Sequence, residues 1–157
     1  MIDKMSEFFI ITTGEKWVGY GFRSFHSVVN EMIRSAEREV VMTVYVMSDV
    51  SVTNSLKKAI ERGVSVEIFV YSPQIAIKPE ALQELLKMKK EFRNLVIHNI
   101  EDKILHAKVL VVDGRKVLVG SANPTMGGML KNYELGLLVD NGKIAQNILI
   151  LLRRLLK

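Results

Sequence analysis

The chain of 157 residues contains no cysteine. Disulfides and thiol chemistry are excluded, and an oxidising or a reducing compartment is tolerated equally well. Histidine is scarce too. The three present, His26, His98 and His106, show no His-x-x-x-His or carboxylate-paired spacing of the kind that holds zinc. No apolar run approaches the length of a membrane span: the longest near the C-terminus covers residues 148–152. A four-residue run at 8–11 is too short for the core of a signal peptide, and the segment before it is too acidic. These absences predict a soluble, cytoplasmic protein with no metal, no other cofactor and no membrane partner. Aromatic residues are few, with six Phe, four Tyr and one Trp, mainly at core-like positions. Trp17 and Tyr20, in the N-terminal loop, are candidates for stacking on bases. Neither an internal repeat nor a helix-turn-helix segment is evident.

Apolar residues make up 48% of the chain and charged residues 25%, as in an ordinary folded protein, and the length suits a single domain over residues 1–157. The net charge is +5. That excess suits an anionic partner such as nucleic acid or a phospholipid surface, but a solvated surface with extra lysines explains it equally well.

Along the chain, residues 8–12 read as a short strand followed by a loop containing Gly14, Gly19 and Gly21. Ser24 caps a helix whose apolar positions Val28, Val29, Met32, Ile33 and Ala36 recur at helical spacing. Residues 40–46 are β-branched and nearly all apolar, which predicts a strand buried on both faces. A second helix starts at Ser51 or Thr53 and ends before Gly63, and residues 64–71 form the next strand. Helix, strand, helix, strand is the signature of a parallel sheet with crossovers. Pro73 and Pro79 bracket a loop, with Pro79 in the first turn of a third helix that runs to about residue 92 and carries a solvated mixed-charge face. A short strand at 95–98 precedes a hairpin of residues 105–112 and 115–119 about an Asp113-Gly114 turn. After a loop at 120–132 come a last strand at 134–139 and a helix from Gly142 onward. That helix is apolar on more than one face, which suits either deep burial or a subunit contact.

The most specific feature lies in the hairpin. Residues 106–123 read HAKVLVVDGRKVLVGSAN, fixing His106-x-Lys108, then Asp113 after four residues, then Gly120-Ser121-x-Asn123 after six more. His106 and Lys108, two apart on a strand, point the same way. An unpartnered ammonium is expensive to bury, so Lys108 calls for an anion or for an internal carboxylate. Gly120, Ser121 and Asn123 add a tight turn, a hydroxyl and an amide within reach of the same oxyanion. Asp113 opens an Asp-Gly turn and is explained as a framework residue by that geometry.

This segment resembles the His-x-Lys-x4-Asp-x6-Gly-Ser-x-Asn motif of the phospholipase D superfamily at every specified position. From about residue 25 to the C-terminus the chain resembles the small single-motif endonucleases of that superfamily, while residues 1–24 match less clearly. Pro124 stands where the family places an aromatic or aliphatic residue. The resemblance implies an α/β fold, a mixed and largely parallel sheet with helices on both faces. It implies that His106 is a nucleophile forming a phosphohistidine, that Lys108 and Asn123 hold the non-bridging oxygens, and that Ser121 adds a hydrogen bond. Glu134 falls where such proteins carry a Glu that accepts the imidazole's other N–H. The superfamily uses a second histidine from a second motif, and here no second copy exists. The expectation is a homodimer with a shared active site acting without a metal ion, most simply a nuclease for DNA or RNA. The alternatives are a phospholipase or phosphatidyl-transfer enzyme and a non-catalytic regulatory and dimerisation domain.

Overall fold

Helical crossovers join strands that run the same way and tight turns join those that do not, and this chain uses both. The computed structural model describes residues 6–71 and 80–157. In order these form β1 (Glu7–Thr13), β2 (Arg23–Ser24), α1 (Phe25–Arg34), β3 (Glu39–Val44), α2 (Val50–Glu61), β4 (Ser65–Tyr71), α3 (Glu80–Glu91), β5 (Leu95–Ile100), β6 (Val109–Val112), β7 (Lys116–Gly120), a single π-helical turn (Gly127–Lys131), β8 (Glu134–Asp140) and α4 (Gly142–Arg154). The eight strands make one sheet in the order β2-β1-β8-β7-β6-β3-β4-β5. Pairings β1–β2, β3–β4 and β4–β5 are parallel, while β1–β8, β3–β6, β6–β7 and β7–β8 are antiparallel. Six strands therefore point one way, with β6 and β8 reversed. The sheet is mixed, as expected, with most strands pointing one way although four of its seven pairings are antiparallel.

The strand at 39–44 is buried on both faces, as its apolar run predicts. Val40, Met42 and Val44 join a large cluster beneath α1, α2 and α3, whereas Val41 joins a smaller one under α4 with Phe69, Val111 and Val117. Helices thus flank both faces, unequally. From α4 only Ala145, Leu149 and Leu152 are buried, and Ile150, Leu151, Leu155 and Leu156 stay exposed, so this helix is not deeply enclosed. Where α4 does not reach, the directly opposed residues Ile10, Leu137 and Val119 on β1, β8 and β7 are 46%, 47% and 42% exposed. Among the described residues no helix is long and apolar enough to cross a membrane.

Several boundaries differ from the sequence expectation for local reasons. Ser24 caps α1 as expected, its hydroxyl accepting from the Ser27 amide. Asp49, rather than Ser51 or Thr53, caps α2 by accepting from the Val52 amide at 2.9 Å. A two-residue strand, β2, stands beside β1, and β5 continues to Ile100. The strand expected from residue 105 begins only at Val109, because residues 105–107 run past the ends of both β3 and β7, while Lys108 keeps one bond, its carbonyl accepting from the Gly120 amide at 3.3 Å. Pro73 and Pro79, with the loop expected between them, lie outside the described residues.

The β6–β7 turn has Asp113 at φ 53° and Gly114 at φ 62°, a paired left-handed conformation, and with Val112 opposite Lys116 the hairpin loop spans residues 113–115. Asp113 also ties the hairpin to the connection between α1 and β3. Its carboxylate accepts from the amides of Glu37 (3.0 Å), Arg38 (2.8 Å) and Glu39 (3.0 Å), and its carbonyl accepts from the Arg38 guanidinium at 2.8 Å. Partial burial pushes the carboxyl up. The three amides and the Arg38 charge outweigh it and hold the pKa below the usual aspartate range. Asp113→Ala is expected to cost about 2–3 kcal/mol near neutral pH, measured by urea unfolding. Because the folded pKa is depressed, the stabilisation is complete above the ordinary aspartate range and is lost as pH falls through the folded value. The gap between wild type and variant should therefore narrow in acid to the pH-independent cost of an alanine at positive φ.

Candidate active site

Because β6 and β8 enter the sheet against the other strands, their first residues lie at the same edge as the last residues of β3, β4 and β7. That edge collects Tyr45 after β3, Tyr71 at the end of β4, His106 and Lys108 before β6, Gly120 and Ser121 at the end of β7, and Glu134 at the start of β8. Open sheets of this kind place their binding crevices at such an edge.

The His106–Lys108 segment is fixed by a side chain that the motif does not include. Thr43, 3% exposed on β3, donates its hydroxyl to the Ala107 carbonyl at 2.6 Å and accepts from the Val109 amide at 3.0 Å. One hydroxyl thus does what two ladder bonds would do. The stem of Lys108 lines a small cavity of about 40 Å³ with Met42, Leu110, Leu118 and Pro124. Its ammonium donates to the His106 carbonyl at 2.9 Å and lies 3.2 and 3.1 Å from Nδ1 and Nε2 of the same residue. An ammonium equally near both ring nitrogens would strike Cε1 if it lay in the ring plane, so it sits over the imidazole face. Burial lowers the pKa of Lys108, and the charge of Glu134 raises it part of the way back, leaving it below the usual lysine range. Among the described residues no carboxylate is within ion-pair distance of Lys108.

The turn after β7 owes its shape to close packing. Gly120 and Gly136 are directly opposed, and a Cβ on either would stand 2.8 or 2.6 Å from Cζ of Phe25. Ser121 donates its hydroxyl to Glu134 and accepts from the Leu135 amide at 3.1 Å. The other Glu134 oxygen accepts from the Asn132 amide group at 3.1 Å. Within one chain, then, the Glu134 carboxylate is held by Ser121 and Asn132. Asn123 is pinned through its backbone, because Gly128 approaches so closely that a Cβ there would stand 2.2 Å from the Asn123 carbonyl. The next residue, Pro124, accepts from the amides of Ser48 and Asp49, both at 3.0 Å. The Asn123 side-chain oxygen is buried with no hydrogen-bond partner among the described residues. Such an orphan costs stability.

The other histidines stand apart from this cluster. His98 meets Glu67 at 3.1 Å and rests against Phe69, and burial followed by the Lys89 charge lowers its pKa. His26 lies in the first turn of α1, where its carbonyl accepts from Asn30. Trp17 packs at a tilt on Tyr133, with ring centroids 4.9 Å apart. Among the described residues no group of three His, Asp or Glu side chains converges as metal ligands do.

The cluster contains His106, Lys108, Ser121 and Glu134, with Asn123 following in the same turn, Gly120 shaping the floor and Asp113 at the opposite end of the hairpin. Thr43, Tyr45 and Asn132 were not anticipated. The available signal for the first two was that they interrupt an otherwise aliphatic run at 40–46.

A family model described as cardiolipin synthase, phospholipase D-like domain, matches residues 29–156. This chain belongs to the phospholipase D-like family. A phospholipase D from Rickettsia prowazekii (strain Madrid E) is 33% identical over 119 residues, covering 76% of this chain and 56% of that protein. The chain therefore spans little more than half the length of this relative. The fold matches the structure of Nuc, a phospholipase D family member from Salmonella typhimurium, with a TM-score of 0.78 at 22% identity over 92% of this chain and 90% of that one. NucT from Helicobacter pylori gives 0.77 at 20% identity over 97% and 95%. The phospholipase D-like match spans every residue of the His-x-Lys motif and Glu134, and it begins within α1, whereas the fold match takes in the N-terminal strands as well.

Two measurements probe the geometry. Thr43→Val should leave the Ala107 carbonyl and Val109 amide unpaired and lower phosphodiester turnover about ten-fold or more, while Thr43→Ser retains it. Glu134→Gln removes the charge that raises the Lys108 pKa, so Lys108 should lose its proton at still lower pH. The alkaline fall in affinity for inorganic phosphate should then shift downward, as read by calorimetric titration across pH.

Proposed function

We propose that this chain is a metal-independent phosphodiesterase acting on nucleic acid, an endonuclease working as a homodimer with one shared active site, and that residues 1–157 serve as a single cytoplasmic domain. The observation that carries the reading is a complete phosphate-handling cluster with one imidazole, next to an uncovered apolar row. Displacement at phosphorus through a covalent intermediate needs both a nucleophile and a proton donor for the leaving oxygen. Neither His26 nor His98 touches His106 among the described contacts, so a second copy of the chain is the natural source.

The exposed row Ile10–Leu137–Val119, extended by Leu135 at 55% exposure, supports that partner. On α4, Arg153 pairs with Glu67 of β4. Leu151 and Leu155 stay exposed on the opposite flank of that helix, apart from the sheet row of Ile10, Leu137, Val119 and Leu135 that a second chain would cover. A contact there is self-complementary across a two-fold axis.

In the first step a ring nitrogen of His106 attacks phosphorus. The N–P bond forms as the bond to the leaving oxygen breaks, and the partner's His106 gives that oxygen its proton. In the second step the partner's His106 takes a proton from water, whose oxygen attacks phosphorus and releases His106 of the first subunit. Lys108 and Asn123 of each chain hold the non-bridging oxygens, and Ser121 adds a hydrogen bond. Glu134 accepts the imidazole's second N–H through lone pairs beyond those used by Ser121 and Asn132. The two imidazoles titrate as a coupled pair.

The name of the Rickettsia relative favours a second substrate class, phospholipid head-group esters, which the same chemistry would cleave. Purified protein should cut DNA or RNA in excess chelator and leave phosphatidylcholine vesicles intact; the reverse result would replace the nuclease reading with the lipid one. His106→Ala should reduce cleavage about a thousand-fold or more while the dimer persists. Leu137→Glu should lose dimer and activity together, with sedimentation reporting the first. A fully active monomer would defeat the shared site.

A further inference from the structure

Tyr45 and Tyr71 end adjacent parallel strands, and the pairing of Val44 with Val70 brings them side by side at the site edge. Their rings stack nearly parallel, at 14° with centroids 5.6 Å apart. Tyr45 also meets the His106 ring edge-on, at 73° with centroids 5.0 Å apart, and the Lys108 ammonium lies 5.8 Å from the Tyr45 centroid. Both tyrosines are half-buried, so part of each remains accessible. The result is an aromatic ledge running from the nucleophile along the ends of β3 and β4.

Packing accounts for only part of this arrangement: Tyr71 rests against the smaller apolar cluster under α4, whereas Tyr45 joins neither cluster. The residues just before, Val44 and Val70, are fully buried in the main core, whereas the two tyrosines lie at the sheet's margin on its other face. A phosphodiester linking nucleosides carries a flat heterocycle one sugar away from the attacked phosphorus. Bases bind such aromatic platforms with little regard to sequence, because every base has a π face. Trp17, the residue whose composition first suggested stacking, is engaged with Tyr133 instead.

We propose that the Tyr45–Tyr71 stack is the nucleobase subsite of this active site, and that it selects single-stranded nucleic acid. The inference rests on the nuclease reading. A base inside a duplex is already stacked and paired, so only an unpaired or splayed base can lie on the ledge. Tyr45 has a second duty, bracing the His106 ring, and Tyr71 is therefore the cleaner position to alter.

The test compares kcat/KM for a single-stranded oligonucleotide with kcat/KM for a fully abasic oligonucleotide of equal length, which keeps each phosphate and sugar but has no π face. In the wild type the base-bearing strand should be preferred about ten-fold or more, and single strand should be preferred to duplex. Tyr71→Leu, which keeps apolar volume, should collapse the ratio toward unity, whereas Tyr71→Phe should keep it. A ratio near unity in the wild type, or one unmoved by Tyr71→Leu, overturns the ledge while leaving the nuclease reading standing. A wild type that hydrolyses bis(p-nitrophenyl) phosphate but neither oligonucleotide overturns both.

Discussion

The site depends on how a chain segment outside the sheet is held to it. β3 ends one residue after Thr43, and of the segment bearing His106 and Lys108 only the Lys108 carbonyl reaches a strand, accepting from the Gly120 amide of β7 at 3.3 Å. The Thr43 hydroxyl closes that gap by bonding on both sides of Lys108, to the Ala107 carbonyl and the Val109 amide. A hydroxyl is suited to this because it donates and accepts at once. The backbone around the motif is thereby satisfied without a further strand, and the His106 and Lys108 side chains stay at the open edge.

Electrostatics follow from the same placement. Lys108 keeps its stem against apolar residues and its head over the imidazole, with Glu134 near enough to favour its charge but not to pair with it. Ser121 and Asn132 hold the Glu134 carboxylate, so it does not collapse onto the ammonium. A cation left without a direct counter-ion in a partly desolvated spot is poised for an external anion. The unpartnered oxygen of Asn123 and the glycine-lined turn around it belong to the same economy of unsatisfied groups.

Much of this was legible in the amino-acid order. The helix caps at Ser24 and the glycine after α2, the apolar run of β3 and the Asp-Gly hairpin all follow from local chemistry, and so did the mixed sheet once the crossovers and hairpin were combined. The motif spacing gave His106, Lys108, Ser121 and Asn123 together because they flank a single hairpin. What escaped was non-local. Thr43 lies more than sixty residues from the atoms it bonds (a separation of 64 to the Ala107 carbonyl), and the break it makes in the aliphatic run at 40–46 does not say which atoms it meets. Residue pattern alone extends β6 back to residue 105, four residues before Val109, because alternation of residue type says nothing about whether a neighbouring strand is still present. The Tyr45–Tyr71 stack depends on the register between β3 and β4, which the sequence leaves open.

The reversed entry of β6 and β8 has a further meaning for how such a protein changes over time. His106, Lys108, Ser121 and Asn123 lie on the two stretches feeding those strands, residues 101–108 and 121–133, whereas α1, α2 and α3 belong to crossovers that pack the far larger of the two apolar clusters. Insertions or exchanges in the feeding stretches can remodel what is recognised without disturbing the crossover helices that build the core. A lineage with this wiring can drift between esters of quite different size while its scaffold stays under separate selection.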